Sequence, residues 1–141
     1  METSPAVDPQ MLTAALTEVF APWVQELDLR VLHASPGEVV LALPVAPRHV
    51  HGGGVLCGQT MMAAADTAMV LAVMTRLGGF KPMTTVQLNT SFLRPVAGHS
   101  GTAQVKARVL RMGRSLVFGE IHITDAKDEL AAHVTTTYML I

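Results

Sequence analysis

From Met61 to Met74 nearly every residue is apolar, with no wet side at helical spacing, and Asp66 is the sole ionisable side chain in the stretch. A helix apolar on every face is a buried one, so this pattern predicts a central helix from about Cys57 to Arg76, ended by Gly78-Gly79, since glycine takes up the left-handed terminating conformation freely. Upstream, Met11, Leu12, Ala15, Leu16, Val19 and Phe20 recur at helical spacing. Asp8-Pro9 supplies an N-cap and a proline at the first helical position, and Pro22 ends or kinks this short amphipathic helix. Leu29–Ala34 and Glu38–Val45 are strand-like runs joined by Ser35-Pro36-Gly37, a hairpin signal, with Pro44 and Pro47 closing the second strand. His49 to Gly54 is a loop with three successive glycines that leads into the central helix.

Beyond the helix the pattern switches to period two. Ala103, Val105, Ala107 and Val109 alternate with Thr102, Gln104, Lys106 and Arg108, the signature of a sheet with one wet face. Strands are predicted over Thr84–Leu93, Gly101–Arg111, Ser115–Thr124 and Glu129–Leu140, and the short turns between them predict antiparallel neighbours. One long buried helix with five or six long antiparallel strands defines an α+β fold in which the sheet wraps the helix. Residues 1–10 are expected to be disordered and 11–141 to form one domain, without internal repeat or low-complexity segment.

Composition narrows the function. Half of the 141 residues are apolar and only 15% are charged, a balance that suits a chain covering part of its surface with another subunit. A net charge of -1 argues against nucleic acid or an anionic membrane as the main partner. The lone Cys57 excludes an internal disulfide and fits a reducing cytoplasm. The first ten residues carry two acids and no base, unlike a secretory signal. The Met61–Met74 run, interrupted by Asp66, is expected to fall short of the roughly 20 residues that span a bilayer.

Asp66 is the first candidate for chemistry. An isolated buried carboxylate costs several kcal/mol unless it is hydrogen-bonded or neutralised. Either backbone or hydroxyl donors hold it for structure alone, or its desolvated carboxylate serves as general base or nucleophile near neutral pH.

The order of elements, together with Ala65-Asp66-Thr67-Ala68-Met69 and Thr84-Thr85-Val86-Gln87-Leu88-Asn89-Thr90-Ser91-Phe92-Leu93-Arg94-Pro95, resembles the hotdog-fold acyl-CoA thioesterases of the phenylacetate-degradation and 4-hydroxybenzoyl-CoA type. The resemblance covers roughly residues 35 to 140. That family's pattern sets a His-Gly-Gly triplet nine residues before the helix acid, which places Cys57-Gly58-Gln59 on the triplet. His51-Gly52-Gly53 does not fit it, because nine residues on stands Thr60, which cannot act as the acid. The chain thus departs from the pattern with Cys57 for His, Gln59 for the second Gly, and His51 where some relatives carry Asn.

The resemblance implies a role for each matched position. The backbone N–H of Gly58, at a helix start whose free N–H groups and dipole favour negative charge, would polarise the thioester carbonyl. Asp66 would activate water or attack directly, Thr85 would orient the water, and His51 would donate to the carbonyl or position water. Cys57 and Gln59 would lie against substrate, with Arg94, Arg111 and Arg114 near the coenzyme A phosphates. Apart from these roles, Thr85 is also a good strand former, Gly58 suits close helix packing, and His51 and the arginines suit solvent. Cys57, at a helix N-terminus, is a possible thiolate nucleophile, but only His51 stands as a candidate base, which favours a small buried packing residue. His33, His49, His99, His122 and His133 lack metal-ligand spacing, so no metal is expected.

The expected activity is hydrolysis of acyl- or aryl-CoA to free acid and coenzyme A, with no cofactor beyond the coenzyme A of the substrate. Two rivals remain: a hydratase or dehydratase of the same fold, pairing His51 with Asp66, and a non-catalytic acyl-CoA binding module. Gly58 and Asp66 are eight residues apart, or roughly 12 Å along one helix, whereas reacting groups must converge within about 3.5 Å. A homo-oligomer with sites shared between subunits is therefore expected.

Overall fold

The computed structural model describes residues 7–141. The chain forms α1 (Pro9–Glu18), α2 (Pro22–Gln25), β1 (Arg30–Ser35), β2 (Glu38–Pro44), α3 (Gly58–Leu77), β3 (Met83–Phe92), β4 (Thr102–Met112), β5 (Leu116–Thr124) and β6 (Leu130–Leu140). Helix α1 starts where its cap dictates: the Asp8 carboxylate accepts the Gln10 N–H at 2.9 Å, and Pro22 opens a separate short helix. Of the segment expected to be disordered, residues 1–6 lie outside the described residues, while Pro9 and Gln10 are already helical.

Six antiparallel strands form one sheet in the order β1-β2-β4-β5-β6-β3, wrapped around α3 as the apolar pattern requires. Ala103, Val105, Ala107 and Val109 all face inward and are buried. The helix seats so closely on β5 that a Cβ at Gly119 would fall 2.1 Å from Met69 Cε. Helix α3 ends at Gly78 in the left-handed conformation. At 20 residues α3 has the length and hydropathy of a membrane span, against the expectation that it falls short, yet 72% of its apolar window is buried inside the fold.

The β4–β5 and β5–β6 pairings meet the expectation that strands after the helix pair with their sequence neighbours, whereas β3 departs from it. It pairs with β6, and β4 pairs with β2 instead. The connection from β3 to β4 is held across the start of α3, where Leu56 N–H bonds to Val96 C=O and Val55 bridges Ala97. That path carries the chain over the helix end and delivers the alternating β4 to the centre of the sheet. Strand β3 is left at an edge, with Val86 55% and Phe92 49% exposed.

A candidate thioester site

Two hydroxyls hold the Asp66 carboxylate. Thr85 Oγ1 donates to Asp66 Oδ1 at 2.8 Å, and the Tyr138 hydroxyl donates to the same oxygen and lies 2.7 Å from the Asp66 carbonyl oxygen. Thr85 and Tyr138 are directly opposed residues of β3 and β6, so the donors form a cross-strand pair beneath one helix residue. Burial, and then the charge of Asp66, push the Tyr138 phenol above its ordinary pKa, which keeps it protonated and donating. Asp66 is half-buried rather than enclosed. Both hydroxyls converge on Oδ1, and among the described residues no donor engages Oδ2, which stands free to take a proton or attack.

A bulge between Thr85 and Gln87 makes this arrangement possible. In an unbroken strand Thr85 and Leu88 would face opposite sides. The extra residue shifts the alternation, so that Thr85 opposes inward Tyr138 and Phe92 opposes buried Ala132. Phe92 then covers the start of α3, where a Cβ on Gly58 would stand 3.1 Å from its ring.

The α3 N-terminus is the second candidate element of the site. Cys57 is its N-cap but makes no side-chain capping bond, so the first-turn N–H groups keep their capacity to bind an oxyanion. Its thiol instead lies 3.0 Å from Thr60 Oγ1, which lies 3.3 Å from His49 Nδ1. The imidazole connected to Cys57 is therefore His49, not His51. The His51 ring turns back on its own loop and accepts the Gly53 N–H at 2.8 Å; it makes no hydrogen bond to Asp66. Gln59 is exposed beside Gly58.

Val55, Leu56, Gly58, Met61, Phe92 and Pro95 line an open apolar cleft of about 400 Å³ at this end, with Arg94 on its rim. Arg94 also borders a cleft of about 480 Å³ with His99 and Lys127. It pairs with Glu129 at 3.1 Å, both side chains being half exposed. Such a pair is worth little, and a phosphate can compete for the guanidinium. Arg114 is exposed in the β4–β5 turn, at the opposite end of the sheet from Arg94, so one chain does not bring these two arginines together.

Tyr138 is the functional residue that sequence reasoning missed. Its place in an alternating strand resembles that of any inward aromatic; only the register reveals its partner. Within one chain the structure joins Asp66 to Thr85 and Gly58 to Phe92, and leaves the two groups separate.

A long buried helix wrapped by a six-stranded antiparallel sheet defines a hotdog fold. The description "Thioesterase superfamily" belongs to the family model that matches residues 49–132, more than half of the chain, and the protein belongs to that superfamily. A protein from Thermoplasma volcanium named as a candidate esterase is 31% identical over 104 residues, covering 74% of this chain and 76% of its own length. A similarly named protein from Saccharolobus solfataricus is 29% identical over 115 residues, covering 82% and 80%. Among solved structures, zebra fish thioesterase superfamily member 2 aligns with a TM-score of 0.81 at 27% identity, over 94% of this chain and 95% of that one. A mutant of the phenylacetic acid degradation protein PaaI from Thermus thermophilus aligns at 0.75 and 27%, over 86% and 100%.

Proposed function

We propose that the protein hydrolyses acyl- or aryl-CoA thioesters in a site shared by two copies of the chain, Asp66 of one acting on a carbonyl held by the Gly58 N–H of the other. The observation that carries this reading is the Asp66 carboxylate, fixed through Oδ1 by Thr85 and Tyr138 with Oδ2 left free. A carboxylate so held serves as general base toward water or as nucleophile. Thr85 keeps it oriented, and Gly58 supplies the donor as negative charge develops on the carbonyl oxygen.

The geometry of β3 supports the shared site. Thr85 and Phe92 are seven residues apart on this edge strand, roughly 23 Å, and each marks one half of the chemistry. Antiparallel pairing of two β3 edges about a two-fold axis at Asn89 would, with the extra bulge residue discounted, set Thr85 of one copy opposite Phe92 of the other. The same pairing would carry the Arg94 end of one chain toward the Arg114 end of its partner, where together they could hold coenzyme A phosphates. Helix α3 supports the same reading: of the positions its own sheet leaves incompletely buried, all but Gly58 and Arg76 at its two ends, namely Gln59, Met62, Ala63, Asp66, Val70 and Leu77, fall within about 60° of one line at 3.6 residues per turn. That stripe faces a second copy. Cys57 and Gln59 would lie at the acyl entrance, with His51 on the adjoining loop.

The test mixes Asp66→Ala subunits with Gly58→Pro subunits, the proline removing the N–H at a first helical position where it is tolerated. Each mixed dimer holds one intact site, and random exchange makes half the dimers mixed. About a quarter of wild-type thiol release should therefore return from two inactive parents. If confirmed subunit exchange restores nothing, the shared site is wrong. Tight binding of acyl-CoA by the wild type without thiol release would make it a binding module.

A further inference from the structure

The outward face of the sheet carries a cluster unrelated to the thioester chemistry. His122 and His133 are directly opposed on β5 and β6, and Glu120 stands two residues before His122 on the same face. Ile121, Ile123 and Val134 are buried beneath them, which fixes the backbone frame. His133 Nε2 lies 3.3 Å from Glu120 Oε2, and His122 Nε2 lies 3.8 Å from the same oxygen. One donor atom from each residue can be chosen so that all lie within 4.8 Å of one another.

We propose that Glu120, His122 and His133 bind one divalent late transition-metal ion, zinc(II) or copper(II), on the face of the sheet opposite α3. A tetrahedral zinc ion with N and O ligands at about 2.0–2.2 Å holds its donors roughly 3.4 Å apart. The separations of 3.3 and 3.8 Å bracket that length, donor atoms of all three residues lie within 4.8 Å of one another, and the His122 side chain, 45% exposed, has room to turn toward an ion. Two imidazoles and a carboxylate suit zinc or copper and leave further positions to water.

The surroundings hold the carboxylate in place. Arg108 donates to Glu120 Oε1 at 2.5 Å, which fixes the group and leaves Oε2 to the imidazoles, as outer partners orient ligands at metal sites. The Arg108 side chain is 54% exposed, so solvent and salt screen its charge from the ion. Lys106, the other nearby cation, pairs with Glu38 at 3.3 Å. Sequence spacing does not reveal the set, because the strand register brings together residues 11 apart in the chain.

The test is titration of the chelator-treated full chain with zinc(II) by calorimetry. One ion per chain should bind, with a dissociation constant of roughly 1 μM. His133→Asn and Glu120→Gln should each weaken binding by about tenfold to a hundredfold, and His99→Asn should leave it unchanged. Copper(II) spectra should report two coordinating imidazoles in the wild type and one in His133→Asn. The substituted side chains are exposed or partly exposed, and circular dichroism checks that each variant is folded. Binding absent from the wild type, or equally tight in the His122→Asn/His133→Asn double variant, would overturn the proposal.

Discussion

The middle of α3 and its N-terminal turn offer opposite kinds of group from the same backbone, a held side-chain carboxylate and uncapped N–H donors. At mid-length the helix N–H groups are engaged within the helix, and what the proposed reaction would use is one side chain, Asp66, whose direction is set by hydroxyls from two strands. At the first turn the proposed reaction would use backbone N–H groups that Cys57 does not cap. A serine or aspartate at that cap would engage the first-turn donors itself. The middle of the helix thus depends on what the sheet presents to it, and the first turn on what its cap leaves undone.

Substitutions at each region break the comparison in order of size. Asp66→Asn should lower kcat by about a hundredfold or more, with the thermal midpoint moved by only a few degrees, because both hydroxyls can still bond to the amide oxygen. Retention of most activity by this folded variant would remove Asp66 from the mechanism. Gly58→Pro should cost a similar factor, about a hundredfold, the scale of one lost oxyanion donor. Gly58→Ala keeps the N–H and adds only a Cβ at 3.1 Å from the mobile end of the Phe92 ring; kcat within about tenfold of wild type is expected. Steady-state kinetics on both variants separates a backbone role from a packing one, and equal losses would favour packing.

Tyr138→Phe removes one of two donors on Oδ1 and should destabilise the fold by about 1–2 kcal/mol, measured by denaturant unfolding. Its kcat should fall by roughly tenfold with little change in KM. Combined with Thr85→Val, the loss should be less than the product of the single losses, since both hydroxyls act on one oxygen. Strict multiplicativity would mean that they act separately. The smallest effect is expected at Cys57. Its thiol reaches His49 only through Thr60, and Cys57→Ala should keep kcat/KM within about tenfold of wild type. A loss as large as that of Asp66→Asn, with a trapped acyl-thioester on the wild-type protein, would instead make Cys57 a nucleophile.

The sequence by itself determined the long elements and one candidate reactive group, because these depend on local periodicity. An apolar run uninterrupted by charge except at Asp66 has to be a buried helix, Asp8-Pro9 has to start α1, and β4 can bury only the alternating face that carries Val105 and Ala107. The resemblance to hotdog thioesterases could be drawn for the same reason, since its residues lie in two short contiguous segments. Pairing across the sheet depends on registers that no local signal encodes. Tertiary structure therefore decided that β3 lies at the edge beside β6, that a bulge turns Thr85 and Phe92 to the same face, that Tyr138 meets Asp66, and that His49 rather than His51 connects to Cys57. It likewise brought Glu120, His122 and His133 together. Each of these contacts joins residues remote in the chain, and their proximity follows only once the packing of α3 has determined how the strands are ordered around it.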